Sequence, residues 1–474
     1  MKRSIYKIVA LFMVVATMGS CTKGFEEMNE NPNAPEGVPT AYLMTNAQYS
    51  LVSDVRDNWL NGRMGLLYSQ YWSQINYTDE SRYLPRVNVT NSYFNVLYRD
   101  LYDLQDIINK CTESPDDYAI SGYPANQIAS ATILKSYIFH IMTDIWGDIP
   151  YFGALQGVEN TRPVYDDSQA IYDDLLVQLQ NASDMIDVGQ PGIKGDIIYD
   201  GDMAKWKKFA NSLIMRIALR KGDVATATAA YPNAFSSNDD NAHFQYAPSG
   251  EAVNPIFVDF INGNRIEKDF AVSKTITDYM NANNDPRLPF YASESSNGYM
   301  GVTYGLNNEN APEEYKLGRS IQAANIYAAD AWTPLMNYDE VLFIMAEINN
   351  DETSFRDAIK ASALNWGASE ADATTLSAGI AFDGLESIIT EKWVANYMQG
   401  FQGWSEYRRT GFPSFIDLPA DGVEVGVDIG SLKVPNRRAY PTDEEQLNKA
   451  NYTEAVNGLV DQVGQQKTPM FWQQ

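Results

Sequence analysis

The stretch IITEKWVANYMQGFQGWSEYRRTGFP, residues 388–413, carries six aromatic rings, three glycines and two adjacent arginines. Trp393, Tyr397, Phe401, Trp404 and Tyr407 follow one another at intervals of three or four. That is the spacing of one helical face, so the rings read as packing material. Gly400 and Gly403 sit within this stripe, where a missing Cβ allows a bend or a close approach of another backbone. Arg408 and Arg409 belong to a chain with 61 acidic and 35 basic residues, so carboxylates or carbonyls are their expected partners. A formal net charge of −26 excludes a nucleic-acid surface. The stretch is therefore expected to form a buried corner of the fold.

Upstream of this corner the apolar residues keep a helical period. Residues 91–111 place Phe94, Leu97, Leu101, Leu104 and Ile108 on one face. Residues 126–147 repeat the pattern with Ile128, Ala131, Leu134, Ile138, Met142 and Ile145. Ile171, Leu175, Leu179, Ala182 and Ile186 continue it, followed by Trp206, Phe209, Leu213 and Ile217. Tyr137 to Ile171 and Leu175 to Phe209 are each 34 residues apart, the tetratricopeptide period, although the full repeat consensus is missing. Helices return at 336–348, 354–367 and 385–398. The expected fold class is mainly α: tetratricopeptide-like helix pairs in a solenoid-like scaffold. Residues 232–333 and 413–474, rich in Gly, Asn, Pro and Tyr, are expected to be loop-rich insertions, and long loops in a compact body usually serve function.

The N-terminus is a different kind of sequence. Lys2, Arg3 and Lys7 precede an apolar run from Ile8 to Met18, too short to remain as a membrane span. Small residues and Cys21 follow, as in a lipobox, so residues 1–20 read as a lipoprotein signal peptide and Cys21 as the lipidated residue. Residues 21–40 read as a polar tether and 41–474 as a single domain. Loss of three cations with the signal peptide would leave the chain at −29.

Reactive side chains are scarce. The only thiol besides Cys21 is Cys111, at the end of an amphipathic run, which leaves no internal disulfide. His140 and His243 are the two histidines, and His140 lies among apolar residues as a packed helix residue does. No phosphate-binding loop, zincin motif or EF-hand loop is present, and no cofactor or metal is called for. A carboxylate-pair glycosidase stays open, because carboxylate separation is a property of the fold.

The stretch 388–413 closely resembles a segment of the SusD/RagB lipoproteins, in particular their second SusD-like group. The resemblance extends in order through ENPNAP (30–35), YTDESRY (77–83), WGDIPY (146–151), KWKKFANSLIMRIALR (205–220), DPRLPFYA (285–292), MNYDEVLFIMAEI (336–348) and VPNRRAYPTDEEQLN (434–448). It implies a non-catalytic lipoprotein anchored in the outer membrane through acylated Cys21 and exposed at the cell surface. It further implies capture of oligosaccharides for a SusC-like, TonB-dependent barrel; the alternatives are peptide capture of the RagB type and a surface glycosidase. The glycan site it implies lies on YWSQINYTDESRYLPR (71–86) and a tyrosine-rich loop. Trp72, Tyr77 and Tyr83 supply ring faces, Asn76 and Arg82 supply donors, and Tyr299 and Tyr304 assist. Trp72 and Tyr83 also fit a core role, and the sequence does not choose between the two.

Overall fold

The computed structural model describes residues 37–259 and 269–473. The expected signal peptide, Cys21 and residues 22–36 of the tether lie outside the described residues. From Thr40 on, the described residues pack as one compact unit.

The first half is a run of helix on helix: α1 (Thr40–Arg56), α2 (Val87–Glu113), α3 (Pro124–Trp146), α4 (Ser168–Met185), α5 (Met203–Lys221) and α6 (Val224–Ala230). Each packs on the next, as the 34-residue spacing requires. The ends are set by local chemistry. Asp167 and Asp202 accept N–H groups in the first turns of α4 and α5, and Gly222 closes α5 in a left-handed conformation. The periodic residues are buried as expected, except Ile108 and Ile128, which are half-buried against the core. Helix α3 is buried almost all round, because α2, α4, α5 and a later helix cover its faces. An all-round buried helix can carry polar residues only if they find partners, and His140 and Asp144 do so.

Past α6 the chain becomes irregular, as the composition indicates, but it is not bare loop. Strand β1 (Trp72–Gln74) pairs antiparallel with β3 (Phe270–Val272), and β2 (Ala242–Gln245) pairs with β4 (Trp332–Met336). A helix α7 (Lys274–Ala282) follows β3. The second helical block comprises α8 (Tyr338–Asn349), α9 (Glu352–Asn365), α10 (Glu370–Gly379), α11 (Leu385–Ala395) and α12 (Gly400–Thr410). The C-terminal stretch, expected to be loop, also contains α13 (Lys449–Asn457).

The corner 388–413 is α11, a tight break and α12. All five rings of its stripe are at most 5% exposed. A Cβ on Gly400 would lie 2.3 Å from the backbone carbon of Gly65 and the nitrogen of Leu66, and one on Gly403 2.5 Å from Tyr71 Oη. The glycines thus let α12 lie directly on the 61–68 segment. Arg408 lies over the Trp404 ring at 3.6 Å and donates to the carbonyls of Asp144 and Asn436. Arg409 takes Glu347 at 2.6 Å and Glu406 at 2.6 Å. Both arginines have the kinds of partner that the composition called for.

A wider network grows from these residues. Glu406 also faces Arg220 at 3.0 Å and Lys392 at 3.3 Å, and Arg220 reaches Asp144, His140 and Gln402. Arg216 forks onto Glu340 at 2.5 and 2.7 Å. Burial alone would raise the Glu406 pKa, but Arg409, Lys392 and Arg220 hold it well below the carboxylate range. His140 is fully buried, and desolvation pushes its pKa to about 3, so it stays neutral. Cys111 is buried, and its thiol is pushed up to about 11 by burial, which makes it inert.

Gly400→Ala tests the corner. Its Cβ meets backbone that cannot swing aside, so the substitution is expected to cost about 2 kcal/mol or more in denaturant unfolding. Gly379→Ala, at the end of α10 with open space around its Cβ, is expected to be neutral or to stabilise by up to ~1 kcal/mol. Equal effects from the two would contradict the close approach.

Candidate functional site

The segment 71–86 is held by Glu80, a buried carboxylate. It accepts from Arg86 at 2.6 Å, Arg63 at 3.3 Å and the Gln74 amide at 2.7 Å. Arg63 in turn takes Asp269 at 2.7 Å, which ties β1 to the chain entering β3. This anchoring sorts the expected ligand residues into two groups.

Trp72 and Tyr83 are core residues. Trp72 is 0% exposed, donates Nε1–H to Tyr397 Oη at 3.1 Å and packs on Phe270. Tyr83 is 0% exposed, donates to the Lys433 carbonyl at 2.8 Å and packs edge-on against Tyr68. Their faces are covered by protein, so neither offers a platform in this structure. Strand pairing puts Trp72 inside, and a left-handed turn at Tyr83 aims that ring inward. Arg82 is half-buried and its donors are already spent. Nε donates to the Gly422 carbonyl at 2.9 Å, and Nη1 meets Glu424 at 2.5 Å. It pins the 417–427 loop. Tyr77 is 62% exposed, with the Arg86 guanidinium 5.6 Å from its ring centre, and Asn76 beside it is half-buried. Tyr299 is half-buried against the core, and its carbonyl accepts from Asn281. Tyr304 is 5% exposed, but one edge borders a cleft.

That cleft, of about 540 Å³, gathers Gln70, Thr275, Tyr279, Thr303, Tyr304, Phe415 and Asp417 from four separate parts of the chain. Its aromatic shelf is Tyr279 and Phe415, stacked with ring centres 5.4 Å apart and planes 29° from parallel. Phe415 is 40% exposed and rests edge-on against buried Trp393 of α11. Tyr279 donates to Glu391 of α11 at 2.7 Å; burial first, then the Glu391 charge, pushes its phenol pKa upward, so it remains a donor. Glu391 also takes Arg287 at 2.8 Å, and Arg287 takes Asp285 at 2.6 Å. The shelf is thus seated on the ionic framework of the scaffold. The rim is polar: the Gln70 amide donates to the Asp417 carbonyl and accepts from Thr275, and Lys433 reaches Asp417 at 3.2 Å.

Chemically the cleft offers recognition contacts. A flat ring stack with amides, hydroxyls and charges around it suits a ligand with one apolar face and a hydroxylated edge, as a pyranose ring has. The Asp417 carboxyl is held below its ordinary pKa by the Leu418 N–H and then by Lys433, the opposite of what a glycosidase acid needs. His243 is pushed down to about 4, chiefly by burial, and stacks on Trp332 away from the cleft. Of the expected residues, only Tyr304 lines the cleft. Phe415, three residues after the corner's cis Phe412–Pro413 bond begins, was the missed signal: a large apolar ring in a Pro-rich loop.

Residues 32–441 match the family model SusD-like_2, described as starch-binding and associating with the outer membrane. Among solved structures, the fold is similar to that of a chitin-binding protein, at 24% identity and a TM-score of 0.78, covering 92% of this chain and 100% of that one. A SusD homologue from Bacteroides uniformis is similar at 24% identity and a TM-score of 0.79, over 92% and 99% of the two chains. A chitin-binding SusD homologue from Flavobacterium johnsoniae follows at 21% identity and a TM-score of 0.76, over 91% and 98%. At such identities the likeness speaks for the fold. A search of curated protein sequences returns no match.

The two groups of aromatic residues separate in stability measurements. Trp72→Ala is expected to cost about 3–5 kcal/mol, as a buried tryptophan does. Tyr77→Ala is expected to stay within about 0.5 kcal/mol of the parent. Comparable losses would mean that Tyr77 is part of the core.

Proposed function

This chain belongs to the SusD-like family, and we propose that it is a surface lipoprotein that captures oligosaccharides and delivers them to a SusC-like, TonB-dependent barrel. The observation that carries the binding half is the Phe415–Tyr279 shelf. It offers an exposed ring face and a polar rim in one cleft, with the Tyr279 hydroxyl held in place by Glu391. The family's description as starch-binding and the chitin-binding relatives support a neutral glycan as the ligand class. Tyr77, exposed on the 71–86 segment, is a second candidate contact outside the cleft; Arg82 acts from behind, by holding the 417–427 loop.

The delivery half rests on the N-terminal sequence and on the family. Among the described residues no helix is long and apolar enough to cross a membrane. A lipid on Cys21 attaches the protein, and the body binds its ligand and hands it over without chemical change. A stable lid on a barrel buries more than about 2,000 Å² in total.

Calorimetry against a panel of starch- and chitin-derived oligosaccharides tests capture. The expected Kd lies between about 1 μM and 1 mM, and Phe415→Ala is expected to weaken binding about tenfold, or about 1.4 kcal/mol. A parent-like Phe415→Ala would move the site elsewhere. Affinity purification from native membranes tests delivery: the lipoprotein is expected to bring down a TonB-dependent barrel, and Cys21→Ala to leave the membrane fraction. Recovery of the lipoprotein alone from several mild detergents would overturn the partnership.

A further inference from the structure

A second hollow, of about 760 Å³, lies over α3 between α2 and α4 and is edged by the 151–159 loop. That volume falls within the range of about 300–1,000 Å³ typical of ligand sites.

One wall is a hydrogen-bond relay. Lys135 of α3 donates Nζ–H to Gln105 Oε1 at 2.8 Å, and Gln105 of α2 donates Nε2–H to Asn109 Oδ1 at 2.8 Å. An ammonium can only donate, so it forces Gln105 to present its oxygen, and Gln105 in turn forces Asn109 to present its own. The relay therefore ends in donors: the Asn109 Nδ2 amide and the other Nζ–H bonds of Lys135 have no partner among the described residues. The facing wall, on α4, is rich in acceptors. Asp174 accepts from Tyr151 Oη at 2.7 Å and from Gln178 Nε2 at 3.3 Å, which leaves Gln178 Oε1 unused. Asn109, Lys135, Asp174 and Gln178 are all half-buried, so each keeps accessible surface in the hollow that it lines. Ring faces supply the apolar contacts: Phe152, 53% exposed and edge-on to Tyr151, and Tyr102, exposed on α2.

Donors opposite acceptors select the ligand chemistry. An anion would meet Glu113, Glu159 and Asp174, and a cation would meet Lys135. A hydroxyl donates and accepts at once, so a ring with adjacent hydroxyls uses both walls, while its C–H face lies against an aromatic ring.

We propose that this hollow is a second carbohydrate site, separate from the Phe415–Tyr279 cleft, for a neutral hexose ring, either free or within an oligosaccharide. The sugar hydroxyls accept from Asn109 and Lys135 and donate to Asp174 and Gln178. As a site for a glycan unit this rests on the function proposed above; as a site for a free sugar it does not.

The test is calorimetry with maltotetraose, chitotetraose, D-glucose and N-acetyl-D-glucosamine on the parent and on Phe415→Ala, which disables the cleft. Phe415→Ala is expected to keep one saturable site for at least one of these sugars, with a Kd of about 0.1–1 mM. Adding Asn109→Ala and Gln178→Ala together is expected to weaken that site at least tenfold. If this variant does not fold, Phe152→Ala in the same background is expected to weaken it likewise. D-glucuronate and D-glucosamine are expected to bind no more tightly than glucose. A tetraose that binds more tightly than its monosaccharide assigns the source to a glycan; equal binding assigns it to a free sugar. No saturable binding to Phe415→Ala, binding that these substitutions leave unchanged, or a tenfold preference for a charged sugar overturns the site. A parent that binds an oligosaccharide only through Phe415 in that case leaves the proposed function standing; a parent that binds none of the panel removes both.

Discussion

Glu406 is a carboxylate sealed among Arg220, Lys392 and Arg409, and the architecture is arranged around keeping it there. Taking four charges out of water is expensive unless each finds its partners in fixed geometry. That condition ties α3, α5, α8, α11 and α12 to one point, through Asp144, Arg220, Glu347, Lys392 and Glu406. It also demands the close approach at Gly400, since any Cβ there would lift α12 off the 61–68 segment. Apolar packing alone tolerates small slips of one helix on another; a buried multi-partner carboxylate does not, because each displaced donor leaves a charge uncompensated.

The same framework reaches the candidate cleft. One residue before Lys392, Glu391 points the other way along the corner, to Arg287 and Tyr279. The aromatic shelf of the cleft is therefore an outgrowth of the scaffold, although it is assembled from loops. Loops supply the edge, and the ion network supplies the fixed floor.

Much of the scaffold was legible in the sequence because its signals are local. The ring stripe, the small residues at 400 and 403 and the paired arginines each state a requirement within one or two turns, and the structure meets each. The site was less legible because its geometry is long-range. Trp72 reads as a ring in a polar segment; only pairing with a strand some 200 residues later buries it. Arg82 reads as a free donor; a loop 340 residues away uses it. Phe415 is one ring in a Pro-containing loop and Tyr279 one tyrosine among thirty, and they form a shelf only when stacked. Helix α3 shows a one-sided apolar stripe in sequence, yet it is buried almost all round, because neighbouring helices cover its faces.

Hydrogen-exchange mass spectrometry of the protein with and without a bound oligosaccharide tests the central claim, that ligand is met by loops seated on an unmoving ionic corner. Protection is expected around Gln70, α7, Thr303–Tyr304 and Phe415–Ala420, with α3, α5, α11 and α12 already at their slow limit and unchanged. Ligand-induced protection confined to the 660 Å³ hollow beside Tyr98 and Tyr102, or faster exchange in α12 on binding, would contradict it.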